Sequence, residues 1–371
     1  MSHILFISHA RGLHGAESVM MQAVKACVAK GTRVTVVVPS VVPDAGMKEE
    51  LKKIEGVRVM ALPYRAAGIH KWRTWAVMGY NWYTLCRLAR FVRREQVTTI
   101  YSSSSITILG AALAQRTGVR HIWHFHEPVD ERFGWHPSLK KLYIPYIRQA
   151  DTIICISHKQ QQEWEQALGI QLSNARIIYN PMKRICPMKS KESVHDDGCT
   201  IGFVGHFEER KNIPLLVHTF ERIYQRFPSS RLLLCGALDD KDRWYVEKLT
   251  DLRTPVVEIL PQTPDVVKFY GRIDILVLPS WRETMPLVVL EAMQAGVCVL
   301  QTNQSGMNEL LEDAKETLFF SPDKPEELLT LLIRCMKNDY RGSIARAGQE
   351  KAMKLVKNQS FDEQIQQLLC V

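Results

Sequence analysis

"ILVLPSWRETMPLVVLEAMQAGVCVLQT", residues 275–302, reads as a strand, a loop, a helix and a second strand. Its first run (275–280) and its last (298–302) are almost continuously apolar, the pattern of strands covered on both faces. The segment between them is apolar on every side and follows Pro286, a residue suited to the first turn of a helix. Buried strands joined through a helix imply a parallel sheet.

The same alternation runs outward in both directions. Apolar runs at 3–8, 33–38, 57–62, 98–103, 121–126, 152–157 and 175–180 make one series, with helical stretches at 17–30, 80–95, 105–117 and 158–168 between them. Runs at 201–205, 231–236, 256–260, 275–280, 298–302 and 318–320 make a second. Between the series, "KRICPMKSKESVHDDG" (183–198) is charged, non-periodic and bounded by Pro and Gly. It reads as a linker. The expected fold is α/β: two doubly wound parallel-sheet domains, 1–182 and 199–352, with a ligand in the cleft between them. The segment 353–371 is expected to return as a helix to the N-terminal domain. It carries a Ser360/Glu363 capping box and an apolar stripe at Phe361, Ile365, Leu368 and Leu369.

A length of 371 residues fits two cores. "MSHILFI" lacks a basic n-region and a cleavage site, and no apolar run reaches the length of a membrane span. Nine scattered cysteines without a C-x-x-C pair argue against a disulfide framework or a zinc site and point to a reducing cytoplasm. Charge is uneven. Residues 1–180 carry 23 Lys and Arg against 12 Asp and Glu, the remainder 25 against 27. The N-terminal half is therefore expected to face something anionic.

Glu283 and Glu291 are the acids of the stretch 280–296. Ser280 and Glu283 have capping-box spacing, which gives Glu283 a local explanation. Glu291 has none, since an ionised carboxylate on a buried helix is costly without a partner. Eight helical steps span about 12 Å, more than the roughly 5–9.5 Å of a glycosidase pair. The two acids suit opposite ends of an extended ligand, such as a sugar nucleotide.

Other candidates stand at strand ends. After the first strand, Gly15 and Glu17 open a helix whose free amides favour an anion, or else simply make a turn and complement the helix dipole. After 201–205, Arg210, Lys211 and the N-cap candidate Asn212 occupy the equivalent place, where the commoner reading is a solvated loop. Strand 121–126 ends in His124 and His126, which share a face. A metal pair would need a third ligand, and none is spaced to help, so they read as structural histidines bonded to backbone, or as a lone base or sugar-binding group at His126. Gln304, Ser305 and Gly306 make a further strand–helix junction, with Glu309 expected to open the helix.

Together these residues resemble a retaining glycosyltransferase of family 4, whose architecture is the two-Rossmann GT-B fold. "HGAE" (14–17), "ADTIICIS" (150–157), "FVGHFEERKN" (203–212), "PSWRETMPLVVLEAMQAG" (279–296) and "SGMNEL" (305–310) carry the resemblance. It implies that Glu291 binds ribose hydroxyls and that Glu283 lies near the donor sugar, with amides at Met285 and Leu287. It also implies that Lys211 neutralises the diphosphate, Gly15 approaches it, and His126 contacts the sugar near the reacting carbon. Glu17 is a possible acceptor contact. Neither a metal nor a separate cofactor is implied. His206 replaces the arginine that often follows the glycine of the phosphate loop, so Arg210 is expected to share the diphosphate with Lys211. "ETMP" replaces the common "EGFG", and "YNPM" (179–182) the usual "NGVD".

The acceptor is expected to be a saccharide, lipid-linked, in cell-surface polysaccharide synthesis. Trp72, Trp75, Tyr80, Trp82 and Tyr83 mix with Lys71, Arg73, Arg87, Arg90, Arg93 and Arg94, as in a segment seeking anionic lipid headgroups on the cytoplasmic face of a membrane. A core helix with a solvated basic face fits equally well. A soluble transferase with a small acceptor, or a sugar-nucleotide epimerase, remains open. Nucleic acid is not an expected partner, because it would leave Glu291 without a purpose.

Overall fold

The computed structural model describes the chain except Met1, 12–14, 42–45, 66–70, 130–139, 186–197, 237–256, 264 and Val371, and except the side chains of 71–78 and 80. The backbone forms two compact units, Met1–Pro181 with Ser360–Val371, and Met182–Gln359. Most of the expected linker lies outside the described residues.

In the first unit, strands β1 (His3–Ile7), β2 (Arg33–Pro39), β3 (Val57–Leu62), β4 (Thr99–Ser103), β5 (Arg120–Phe125), β6 (Thr152–Cys155) and β7 (Ala175–Ile177) form one sheet. Its order is β3-β2-β1-β4-β5-β6-β7 and all the pairings are parallel. In the second, β8 (Thr200–Val204), β9 (Arg231–Gly236), β10 (Val257–Pro261), β11 (Ile275–Leu278), β12 (Cys298–Thr302) and β13 (Leu318–Phe320) are ordered β10-β9-β8-β11-β12-β13, again parallel. Each apolar run named from sequence became a strand. Both units are doubly wound α/β sheets, and strand order reverses at β1/β4 and at β8/β11. Those two reversals are where such sheets leave a crevice at the carboxyl ends of their strands.

Both faces of the first sheet are covered. On one, Phe6, Val34 and Val36 pack with Val19, Met20 and Val24 of the helix Gly15–Ala29. On the other, Leu5, Ile7 and Ile100 pack with Leu88 and Val92 of the helix Lys71–Arg94 and with Leu113.

The terminal segment divides at Asn358. Up to Lys357 it belongs to the helix Asn338–Lys357 of the second unit, and after Ser360 it forms Phe361–Leu369 in the first. Phe361, Ile365, Leu368 and Leu369 are all buried in the core that includes the helix Gly15–Ala29. The expected capping box does not form. Ser360 makes no side-chain cap, and its hydroxyl takes a hydrogen bond from Gln364 Nε2 at 2.5 Å.

Helix limits differ from expectation where the loop is polar. The stretch expected to be helical from 105 begins its helix only at Leu109. Just before that stretch Ser104 has φ of 103°, and its hydroxyl takes the Ile106 N–H (3.3 Å), a turn in place of a first helical turn. The helix over 80–95 starts earlier, at Lys71.

Candidate active site

In the second unit the loops after β8 and β11 are neighbours because those strands pair at the reversal. The loop after β8 folds into a 3-10 turn, Glu209–Lys211, closed by Asn212 with φ 49° and ψ 39°. Asn212 is therefore the N-cap of the helix Ile213–Arg226 by position only. It is left-handed and makes no side-chain cap, a conformation asparagine tolerates better than most residues.

The loop after β11 is held from two sides. Trp281 N–H donates to Arg210 O (3.0 Å), and Arg210 Nη1 donates to Arg282 O (3.3 Å). Glu283 N–H donates to Gln304 O (2.8 Å), and Gly306 N–H donates to Glu283 O (3.2 Å), a one-residue parallel bridge to the loop after β12. Ser305 caps the short turn Gly306–Glu309 by accepting from Met307 N–H (3.2 Å), so Glu309 ends this turn and does not open a helix.

This frame puts Glu283 against both cations of the β8 loop. Lys211 Nζ lies 2.6 Å from Oε1 and Arg210 Nη1 lies 3.2 Å from Oε2, while Arg210 Nη2 reaches Glu208 Oε1 at 2.6 Å. Ser280 Oγ also donates to Glu283 Oε1 (2.6 Å). Burial works to raise the Glu283 pKa, but Lys211 and then Arg210 outweigh it and hold the carboxyl at about 2, below its ordinary 4.5. Burial lowers Lys211 despite Glu283 beside it.

Two expectations are corrected here. Ser280 and Glu283 do not cap the following helix. That helix is Leu287–Gln294, it begins after an extended Pro286, and no side chain caps it. Ser280 bonds to the Glu283 side chain, not to a backbone amide. The buried acid is also the other one. Glu283 is 7 % exposed, whereas Glu291, for all its apolar flanks, is half-buried on the helix. Tyr270 Oη donates to Glu291 Oε2 (2.9 Å), and burial raises the Glu291 pKa although this hydrogen bond opposes it. Met285 is buried just before the helix, and Leu287 is its first residue, so its amide is one of those an α-helix leaves without an internal partner.

In the first unit the polar side chains again gather at strand ends next to the reversal. Gly15 begins the helix Gly15–Ala29, and a Cβ there would meet nothing within 4 Å among the described residues. Glu17 is buried and pairs with His9 Nε2 at 3.3 Å, beyond the end of β1. After β4, Ser105 N–H (2.9 Å) and Ser105 Oγ (2.7 Å) both donate to Glu127 Oε2. His126 precedes Glu127 and is buried, its ring 3.9 Å from that of His124, which bonds to Tyr101 Oη. Burial holds His126 down to about 4 against Glu127, which would raise it. Burial thus favours the neutral form of His126.

Sequence reasoning missed His9, Ser105, Glu127, Glu208 and Tyr270. For Glu127 a signal existed, since it follows a strand at its carboxyl end directly after His126, already singled out. Tyr270 sits on a different element, 21 positions before Glu291, and nothing local marks it.

Residues 13–183 match the family model described as Glycosyltransferase Family 4, and residues 198–338 match that described as Glycosyl transferases group 1. Over 286 residues the chain is 26 % identical to the alpha-monoglucosyldiacylglycerol synthase of Acholeplasma laidlawii, covering 67 % of this chain and 70 % of that one. It is 23 % identical over 252 residues to an uncharacterized glycosyltransferase of Haemophilus influenzae, covering 66 % and 68 %. Among solved structures it is similar to Anabaena HepE in complex with UDP-glucose, with a TM-score of 0.80, 18 % identity and both chains covered in full. That last likeness is one of fold.

Proposed function

The chain belongs to the family 4 glycosyltransferases, and from that footing we propose that it transfers a sugar, with retention and without a metal, from a nucleoside-diphosphate sugar to a lipid-linked saccharide. The observation that carries the donor half is the buried junction of Lys211 and Arg210 with Glu283 at the β8/β11 reversal. Two cations on one loop, beside the uncapped start of the helix Leu287–Gln294, are what a departing diphosphate needs in place of a metal ion.

In this reading the bond from the anomeric carbon to the terminal phosphate oxygen breaks while the acceptor hydroxyl oxygen bonds to the same face of that carbon and its proton passes to the departing phosphate oxygen. Until that transfer the new charge falls on the diphosphate. Lys211, Arg210 and the amides at Met285 and Leu287 receive it. Glu291 takes the ribose hydroxyls, with Tyr270 fixing one of its oxygens. Glu283 takes hydroxyls of the donor sugar. From the first unit we assign Gly15 to the diphosphate, neutral His126 to the sugar near the reacting carbon, and Glu17 to the acceptor.

The name of the Acholeplasma relative specifies a diacylglycerol lipid, which supports a lipid-linked acceptor. So does the helix Lys71–Arg94, where Trp82 and Tyr83 are 60 % and 55 % exposed and Arg87, Arg90 and Arg93 are exposed beside them. No helix among the described residues is long and apolar enough to cross a membrane. We place the enzyme on the cytoplasmic face of a membrane, in surface polysaccharide synthesis.

The test is a thermal-shift panel of UDP, GDP and ADP with their sugar esters. One base should raise the melting temperature, and Glu291→Gln should reduce that rise. If no nucleotide shifts the protein and DNA binds it in a salt-sensitive way, the proposal fails.

A further inference from the structure

Four ionised side chains meet in the second unit, and their charges cancel. Arg210 lies between Glu208 and Glu283, and Glu283 lies between Arg210 and Lys211. Arg210, Lys211 and Glu283 are each largely withdrawn from solvent, with side chains 14 %, 13 % and 8 % exposed. A site whose only task was to hold a diphosphate would leave its cations to the phosphates. Here both cations already have a carboxylate, held in place by Ser280 Oγ and by the backbone bridge to Ser305.

Resting on the donor reading above, we infer that Glu283 makes this site discriminate a sugar-esterified diphosphate from a free one, and so favours release of the product. The terminal phosphate of a free nucleoside diphosphate has a second ionisation near pH 6. At neutral pH it therefore carries about one more negative charge than its sugar ester. In a purely cationic cradle that extra charge would tighten binding. Here it competes with Glu283 for Lys211 and Arg210, at short range and with little water to screen the repulsion. The sugar ester has the lower charge and brings hydroxyls, which donate to the Glu283 carboxylate and replace the hydrogen bonds it gives up. The same carboxylate thus attracts the substrate's sugar and repels the product's bare phosphate. Glu208 acts in the same sense on Arg210, more weakly because its side chain is 30 % exposed.

The experiment is calorimetric titration of the whole chain with UDP and UDP-glucose, or with the pair of the base that the panel selects. Glu283→Gln keeps the shape and removes the charge. It should tighten the free diphosphate about tenfold and loosen the sugar ester, so that the preference for the ester collapses or reverses. Glu208→Gln should tighten the free diphosphate by a smaller factor and leave the increment from the sugar unchanged. Unchanged or weaker binding of the free diphosphate in Glu283→Gln overturns the inference while leaving the donor reading intact. If Glu283→Gln does not fold, Glu208→Gln carries the test with the same sign, and no tightening there overturns it. If the unmodified chain binds none of the diphosphates or their esters, the donor reading itself has failed.

Discussion

Lys211 Nζ stands 2.6 Å from Glu283 Oε1, across 72 positions of sequence. Removing one partner of a buried pair leaves the other charge desolvated, which costs more than the pair contributes. Lys211→Met keeps most of the volume and leaves Glu283 with one cation, Arg210, beside the Ser280 hydroxyl. We expect a loss of about 2–4 kcal/mol at pH 7 by urea unfolding. The pH dependence has a definite sign. Glu283 is depressed from 4.5 to about 2, so its stabilisation is present above pH 4.5 and lost as pH falls through about 2. In Lys211→Met the carboxyl protonates at higher pH, so the gap between the two proteins should narrow on acidification. A gap that is constant with pH would show that the pair is not buried as described.

Glu291 behaves oppositely. Burial raises its pKa, so the folded state holds its proton more tightly than the unfolded chain does. Its ionisation costs stability, and that cost appears as pH rises through the ordinary 4.5 to the raised value. Glu291→Gln should therefore melt no lower than the parent at pH 7. Nucleotide binding should still weaken by about tenfold or more, because an amide oxygen accepts hydroxyls less strongly than a carboxylate. Tyr270→Phe should lower stability by about 1–2 kcal/mol, since it removes a donor from a half-buried charge. A large drop in melting temperature for Glu291→Gln would contradict the raised pKa.

Three histidines on β5 and just after it, His121, His124 and His126, are buried, and all three are shifted down. Desolvation holds His121 to about 3 and His126 to about 4, and takes His124 well below 6.5. Unfolding returns each to 6.5, so the unfolded chain binds more protons than the folded one between about 4 and 6.5. Stability should therefore rise with pH across that window. Urea unfolding at half-unit steps measures it, and His126→Asn should remove about one proton from the slope. A slope below one proton would mean that these rings are charged in the fold.

The architecture was legible because most strands are nearly unbroken apolar runs, such as HILFI, RVTVVVP and ILVL, and such runs need no tertiary information to be read. The allotment of the two glutamates was not. Flanking residues suggested that Glu291 was the buried acid and Glu283 a cap. Burial is decided by which face of a short helix meets the sheet, and by a lysine 72 positions away. Local spacing gave Ser280 and Glu283 the pattern of a capping box, but a cap requires the helix to start beside it, and this one starts only at Leu287. His126 and Glu127 stood at a visible strand end. That Ser105 holds Glu127 depends on β4 lying next to β5, which only the sheet order reveals.

Two glycines separate structural from functional demand. A Cβ on Gly236 would lie 1.8 Å from the carbonyl oxygen of Gly205, a collision of backbone with side chain that no rotamer relieves. Gly236→Ala should cost about 3 kcal/mol or more, or prevent folding. A Cβ on Gly15 meets nothing among the described residues, so Gly15→Ala should hold or raise the melting temperature by removing freedom from the unfolded chain. If Gly15 is bare so that a diphosphate can approach its amide, the same substitution should weaken the donor contribution to activity several-fold. Unchanged kinetics in a stable Gly15→Ala would reduce Gly15 to a turn residue.

The helix Lys71–Arg94 tests the acceptor side. Leu88 and Val92 are buried against the sheet, leaving Trp82, Tyr83, Arg87, Arg90 and Arg93 in solvent, with the Arg116 guanidinium 5.0 Å over the Trp82 ring. Arg94 is partly neutralised by Glu95 at 2.8 Å, and Arg33 holds the same carboxylate at 2.6 Å. Among the described side chains of this helix, the charge available to a membrane therefore rests on Arg87, Arg90 and Arg93. Each basic residue near an anionic bilayer is worth about 1 kcal/mol, so reversing all three to glutamate should cut co-sedimentation with phosphatidylglycerol vesicles at least about tenfold. Raising the salt to about 0.5 M should mimic the reversal, because it shortens the screening length. Trp82→Ala should weaken binding with less dependence on salt, since the indole contributes apolar area and not charge. If the unmodified chain stays in the supernatant with anionic vesicles at low salt, these arginines are an ordinary solvated face, and a small soluble acceptor takes the place of the lipid-linked one.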